Sequence, residues 1–223
     1  MQAFTSESMQ MNEVTVIDYG VGNLLSVSRA LEHCGARVTI TSDAAAILAS
    51  ARVVLPGVGA FADGMAALQA KGLDTVVHQV AVAGTPLLGI CLGMQMLFDE
   101  SEEFGMTVGL GLIPGRVMQI PAKTPTCEPQ KIPHIGWNEL VLPGQRDSWQ
   151  SSLLADVVGG EAVYFVHSFM AVPASPEFRL ADCSYGGIPI SAAVQRDNVM
   201  GCQFHPEKSG AVGLKILRRF ISQ

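Results

Sequence analysis

The stretch Thr85-Pro86-Leu87-Leu88-Gly89-Ile90-Cys91-Leu92-Gly93-Met94-Gln95 decides the fold. Its first half is a short apolar run of the kind buried in a parallel sheet, and its second half opens an apolar helix. Cys91 stands at the junction, with Gly89 and Gly93 two residues to either side. A side chain on so sharp a strand-to-helix turn needs neighbours without Cβ atoms, so that adjoining backbone can pack close. The turn lifts the sulfur to the mouth of the sheet and aims the N–H groups of a helix start at the same spot. This is the geometry of a nucleophile elbow carrying a thiol, and a helix start is a place where a thiolate is favoured. Alone, the pattern fits a buried structural cysteine better, since the match is short and free cysteine behaves as a small hydrophobe.

The second informative stretch is Gly201-Cys202-Gln203-Phe204-His205-Pro206-Glu207-Lys208-Ser209. An apolar strand over 198–204 ends in a histidine and a glutamate two residues apart, with Pro206 closing the ladder between them. A cysteine nucleophile requires an imidazole to take its proton, and the imidazole requires a carboxylate to hold its tautomer. In an open α/β sheet such groups gather outside the carboxyl ends of the strands. Cys91, His205 and Glu207 are therefore expected to face one crevice. Together they favour a catalytic triad over a surface His/Glu pair and a core thiol.

The remaining periodicity agrees. Strands are expected over 14–18, 37–41 and 53–55, and helices over 23–35, from Ser42-Asp43, over 61–70 and over 73–83. Such alternation predicts an α/β fold with a doubly wound, mostly parallel sheet. From Gly105 onward, short strands and Pro/Gly turns read as an antiparallel extension, before an amphipathic helix over 214–221. Residues 1–13 read as a loose, flexible tail without signal-peptide character, and 14–223 as a single domain; Met9 and Met11 leave a later natural start open.

Hydrophobic residues make up 48% of the 223 and charged residues only 15%, with mean hydropathy +0.32. No apolar run approaches the ~18 residues of a transmembrane helix, so no membrane association is expected. The net charge of −6 argues against a nucleic-acid partner. So apolar and charge-poor a surface implies that a protein partner covers part of it. Five scattered cysteines fit a reducing, cytoplasmic setting. Cys34, Cys183 and Cys202 fall in apolar patterns and read as core, and Cys127 reads as an exposed loop residue. No spacing predicts a metal site.

Other segments carry two readings. Pro56-Gly57-Val58-Gly59 is either a plain βα turn or a loop whose N–H groups, with that of Leu92, hold a substrate oxyanion. Gly20-Val21-Gly22-Asn23 lacks the third glycine of a dinucleotide loop, and Asp43 reads as a helix cap, so NAD is rejected and no cofactor is expected. His167 has no adjacent carboxylate, which favours a structural or substrate-shaping role over that of a base. The segment 131–138 is either a solvated loop or a partner-facing one.

Gly89-Ile90-Cys91-Leu92-Gly93-Met94-Gln95 with Gln203-Phe204-His205-Pro206-Glu207 resembles the class I (triad-type, flavodoxin-like) glutamine amidotransferases. Ile17-Asp18-Tyr19-Gly20-Val21-Gly22-Asn23-Leu24, Leu55-Pro56-Gly57-Val58-Gly59-Ala60-Phe61, Lys131-Ile132-Pro133-His134-Ile135-Gly136-Trp137-Asn138 and Tyr164-Phe165-Val166-His167-Ser168-Phe169 narrow the resemblance to the glutaminase subunits of imidazole glycerol phosphate synthase. The similarity runs from about Val14 to the C-terminus and departs at Phe169, where many relatives carry tyrosine. It implies glutamine as substrate and Cys91, His205 and Glu207 as the triad. It also implies Val58 and Leu92 as the oxyanion hole, and Gly57, Gly59, Gln95, Ser168 and Phe169 as substrate-binding. It further implies a heterodimer with a (β/α)₈-barrel cyclase subunit, reached through Asn23, Trp137, Asn138 and Lys208, with ammonia passed between the two. Kept as rivals are a glutaminase of another pathway, a stand-alone γ-glutamyl hydrolase and a non-catalytic binding module. Segments 131–138 and 56–61 argue against the first. The second would more often carry a secretion signal, and the third would be expected to have lost a triad member.

Overall fold

The computed structural model describes residues 12–223, so most of the tail expected over 1–13 lies outside the described residues; Glu13 already opens the first strand. Along the chain, β1 (Glu13–Ile17), α1 (Leu24–His33), β2 (Arg37–Thr41), α2 (Ala44–Leu48), β3 (Val53–Gly57), α3 (Phe61–Ala70), α4 (Leu73–Val82), β4 (Leu87–Cys91) and α5 (Leu92–Met96) alternate. There follow β5 (Phe98–Ser101), β6 (Thr107–Val108), β7 (Ile113–Gln119), β8 (His134–Glu139), β9 (Ala162–His167) and β10 (Phe169–Pro173). The chain ends through β11 (Arg179–Tyr185), β12 (Ile188–Arg196), β13 (Val199–Cys202) and α6 (Gly210–Ile221).

The central sheet has seven strands in the order β11-β12-β13-β4-β3-β1-β2. The five strands from β13 to β2 run parallel, while β11 and β12 add an antiparallel edge. A four-stranded sheet, β10-β7-β5-β6, and the β8-β9 ribbon build the extension. Every residue of β3 and β4 is buried, because helices cover both faces of the sheet. Val27 and Leu31 of α1 and Ile216, Leu217 and Phe220 of α6 pack one face. Phe61, Met65 and Leu68 of α3 and Val76, Val77 and Val80 of α4 pack the other. Each such side chain contributes about 1.5–3 kcal/mol by leaving water.

Asp43 caps α2 as its position predicts, its Oδ2 accepting from the Ala46 N–H at 3.0 Å. The helix after the elbow stops at Met96, whose carbonyl takes the Leu110 N–H, while that of Leu97 takes the Leu112 N–H, both from the loop before β7. Two expectations shift. The last helix starts four residues early, at Gly210. Gly213 allows this, since a Cβ there would fall on the Pro206 carbonyl. Cys34 is half-buried rather than core, its Sγ donating to the Leu214 carbonyl at 3.5 Å, while Cys183 and Cys202 are buried and Cys127 exposed.

Candidate active site

The elbow is built by three glycines. Cys91 ends β4 and precedes α5 with φ 55° and ψ −111°, a conformation costing a non-glycine residue about 1–3 kcal/mol. It persists because the backbone around it leaves no alternative. A Cβ on Gly93 would stand in the Leu55 carbonyl, and one on Gly89 would lie 2.7 Å from both the Gly93 oxygen and the Met94 nitrogen. A Cβ on Gly57 would approach the Tyr19 hydroxyl to 2.6 Å. Register places Gly57 of β3 directly beside Cys91, so the Val58–Gly59 loop leaves the sheet next to the sulfur. Among the described residues, no protein acceptor takes the N–H of Val58 or Gly59.

On the other side of β4 lies β13, with Gly201 opposite Gly89 and Cys202 opposite Ile90. The chain leaves β13 through a tight turn that brings in His205, whose N–H donates to the Tyr164 carbonyl at 3.0 Å. His205 Nδ1 meets Glu207 Oε1 at 2.8 Å, and both side chains are almost wholly buried. Burial pulls the His205 pKa down, but the neighbouring Cys91 sulfur and the Glu207 carboxylate overcome it and raise it to about 9. Two other thiols are disfavoured as nucleophiles. Burial, with Asp182 nearby, pushes Cys183 up to about 12, and burial with Glu207 pushes Cys202 higher still.

Val58, Gly59, Cys91, Leu92, Gln95, Ser168, Phe169 and His205 line one cleft of ≈ 310 Å³. Glu207 stands behind His205, and Gly57 is buried under the elbow, where its role is close packing. Outside the cleft, Trp137 is 59% exposed and Lys208 is exposed on the turn. Asn138 is spent internally, its Nδ2 donating to the Ser184 carbonyl at 2.8 Å. Asn23 is half-buried beside the start of α1 and makes no side-chain cap.

Four residues that sequence reasoning did not single out shape the site. Tyr19 donates its hydroxyl to the Pro56 carbonyl at 2.8 Å and so holds the peptide ahead of Gly57. Glu103 lines the cleft and accepts the Phe61 N–H at 2.7 Å, yet in sequence it belongs to an acidic run that reads as solvated. Gln203, just past the end of β13, is fully buried, and its polar side chain within the apolar run 198–204 was the available signal. His134 forms a buried pair with His167.

Polarity within that pair follows from one carbonyl. The Phe169 oxygen can only accept, so His167 Nδ1, 2.8 Å away, donates. His167 Nε2 then accepts from His134 Nδ1 at 3.0 Å, and His134 Nε2 faces the Asn138 amide at 3.4 Å. Both rings are neutral. Burial lowers each pKa to about 4; for His167 the Phe169 carbonyl opposes this, while His134 and His205 add to it. Each ring sits below its unfolded value of about 6.5, so the unfolded chain binds the extra protons. Their contribution is complete above pH ~6.5 and is lost as pH falls from there toward 4, roughly 1 kcal/mol per ring by pH 5.5. His205 acts in the opposite sense: its contribution is complete below ~6.5 and lost as pH rises through about 9. Urea denaturation from pH 8 to 5 is expected to show the acid loss, and His167→Gln to flatten it; equal slopes would count against this reading.

The chain carries clear relatives. The glutamine amidotransferase class-I family matches residues 15–223. The imidazole glycerol phosphate synthase subunit HisH 1 of Legionella pneumophila (strain Lens) is 50% identical over 211 residues, covering 95% of this chain and 99% of that one. The HisH subunit of Geobacillus thermodenitrificans is also 50% identical over 211 residues, covering 95% and 96%. Among solved structures, PurLQS from Thermotoga maritima superposes with a TM-score of 0.68 at 20% identity, covering 93% of this chain and 96% of that one, a likeness of fold. A family match across nearly the whole chain, with half the residues shared along two full-length relatives, means that the chain belongs to the class-I glutamine amidotransferases and, within them, to the HisH subunits of imidazole glycerol phosphate synthase.

Proposed function

We propose that the glutaminase reaction of this HisH subunit runs through Cys91 as nucleophile, His205 as acid and base, and Glu207 as the carboxylate that holds His205. The observation that carries this is His205, seated on Glu207 at 2.8 Å and sharing one cleft with Cys91. An imidazole so placed is the group that takes the thiol proton as sulfur attacks.

The sulfur adds to the side-chain carbonyl of glutamine, and the oxyanion takes hydrogen bonds from the N–H groups of Val58 and Leu92. His205 gives its proton to the leaving nitrogen, the C–N bond breaks, and ammonia departs from a γ-glutamyl thioester. Water then loses a proton to His205 and adds to the thioester; the C–S bond breaks, releasing glutamate and restoring the pair. Gln95, Ser168, Phe169 and Gly59 hold the rest of the substrate. None of these steps needs a cofactor or metal.

The names of the relatives support an assembly in which the ammonia is used elsewhere. The partner in this reading is a (β/α)₈-barrel cyclase that converts the ammonia and a phosphoribulosyl aminoimidazole carboxamide into imidazole glycerol phosphate and an aminoimidazole carboxamide ribotide. Exposed Trp137 and Lys208 are the anchors offered to it, and the cytoplasm is the compartment. Val58, before a Gly59 with φ 99°, sits where a peptide can turn, so the partner is given a means of switching the oxyanion hole. A glutamine-analogue alkylator is expected to label Cys91 alone among the five cysteines, read by peptide mass spectrometry. Labelling of another cysteine with loss of activity would end the assignment.

A further inference from the structure

We infer that Gln203 is a positioning residue for Cys91, its buried side-chain amide donating an N–H to the sulfur. This rests on the reading of Cys91 as nucleophile.

Register puts Gln203 there. β13 runs parallel to β4 with Cys202 opposite Ile90, so the next residue of each chain, Gln203 and Cys91, come side by side. Gln203 Nε2 lies 3.9 Å from Cys91 Sγ, and its side chain is fully buried. Its backbone N–H still donates to the Ala192 carbonyl at 2.9 Å, which fixes where the side chain starts.

Which end of the amide meets the sulfur is decided by partners further along. The Phe169 carbonyl can only accept, so the end of Gln95 facing it at 3.0 Å is the NH₂ group. That same NH₂ lies 2.9 Å from Gln203, and it can only donate, so Gln203 turns its oxygen toward it. The Gln203 NH₂ is left on the side of Cys91. Flipping it would set two donors against each other and point oxygen lone pairs at the sulfur. On the side of the sulfur turned away from the cleft, where Gln203 is fully buried, a fixed N–H takes the place that solvent would otherwise fill. The donor is set before substrate arrives, and it meets the free sulfur again each time the thioester is cleaved.

Gln203 does not line the cleft, so its loss is expected in turnover rather than in substrate binding. Gln203→Met keeps the volume and removes the N–H. It is expected to lower kcat about tenfold with KM within twofold, and to slow iodoacetamide labelling of Cys91 by a similar factor. An unchanged kcat and labelling rate, or a rise in KM alone, overturns the inference. A second readout needs no change at Gln203. With glutamine residues ¹⁵N-labelled, the Gln203 side-chain amide resonance of the wild-type protein is expected to shift on alkylation of Cys91. Alkylating agent should leave it unmoved in Cys91→Ala. A wild-type resonance that does not respond also overturns the inference. The nucleophile reading fails differently, by retention of activity in Cys91→Ser.

Discussion

Cys91→Ser is expected to lower glutamine hydrolysis by about 10⁴-fold or more while leaving the protein folded. Serine fits the same backbone, so the strained turn and the close glycines are undisturbed. What changes is the nucleophile: a hydroxyl gives up its proton far less readily than a thiol, and His205 is set to hold a proton rather than to seize one. If the three residues act as one unit, their losses do not multiply. His205→Ala is expected to cost a similar factor, and the Cys91→Ser/His205→Ala double variant little more than either alone. Steady-state kcat for the four proteins decides it. A double variant slower by the product of the single effects would mean that the two residues serve separate steps.

Gly93→Ala is expected to be the most destabilising single methyl in the molecule, beyond about 4 kcal/mol. The added carbon would coincide with the Leu55 carbonyl and lie 2.8 Å from its carbon, backbone atoms of a fully buried central strand. Neither partner can yield. β3 is held between β1 and β4, and α5 is only five residues long and starts at the elbow. The control is Gly144→Ala, where an added Cβ meets nothing within 4 Å and φ is ordinary; it is expected within about 0.5 kcal/mol of wild type. Urea midpoints, or soluble yield where Gly93→Ala fails to fold, give the comparison.

Both expectations begin in features readable from the chain. β2 and α3 match their anticipated bounds at 37–41 and 61–70, and the apolar runs now numbered β3 and β4 are the buried parallel strands their composition indicates. Local chemistry suffices there, because a strand buried on both faces and a capped helix advertise themselves in consecutive residues. Residues whose role is a contact across tens or hundreds of positions do not. Tyr19 reaches Pro56, Glu103 reaches Phe61 and Gln95 reaches Gln203, and no periodicity encodes such a pairing. Asn138 shows the converse. Beside an exposed tryptophan it reads as a surface contact, yet the turn of β8 against β11 directs its amide inward. The end of the helix after Cys91 is likewise set from a distance, since β7 and its preceding loop take the carbonyls of Met96 and Leu97.

The two-residue step from His205 to Glu207 across Pro206 has a mechanical meaning. In the proposed mechanism, base and orienting carboxylate sit in one short turn, so they travel as a single rigid cassette at the end of β13. The nucleophile travels with β4. Of the separations that make up the triad, only sulfur to imidazole spans two strands, and it is governed by how those neighbours lie against each other. The machine therefore has one adjustable coordinate. A shift of β13 against β4, or of the β9 residue Tyr164 that takes the His205 N–H, would move that coordinate without touching the cleft.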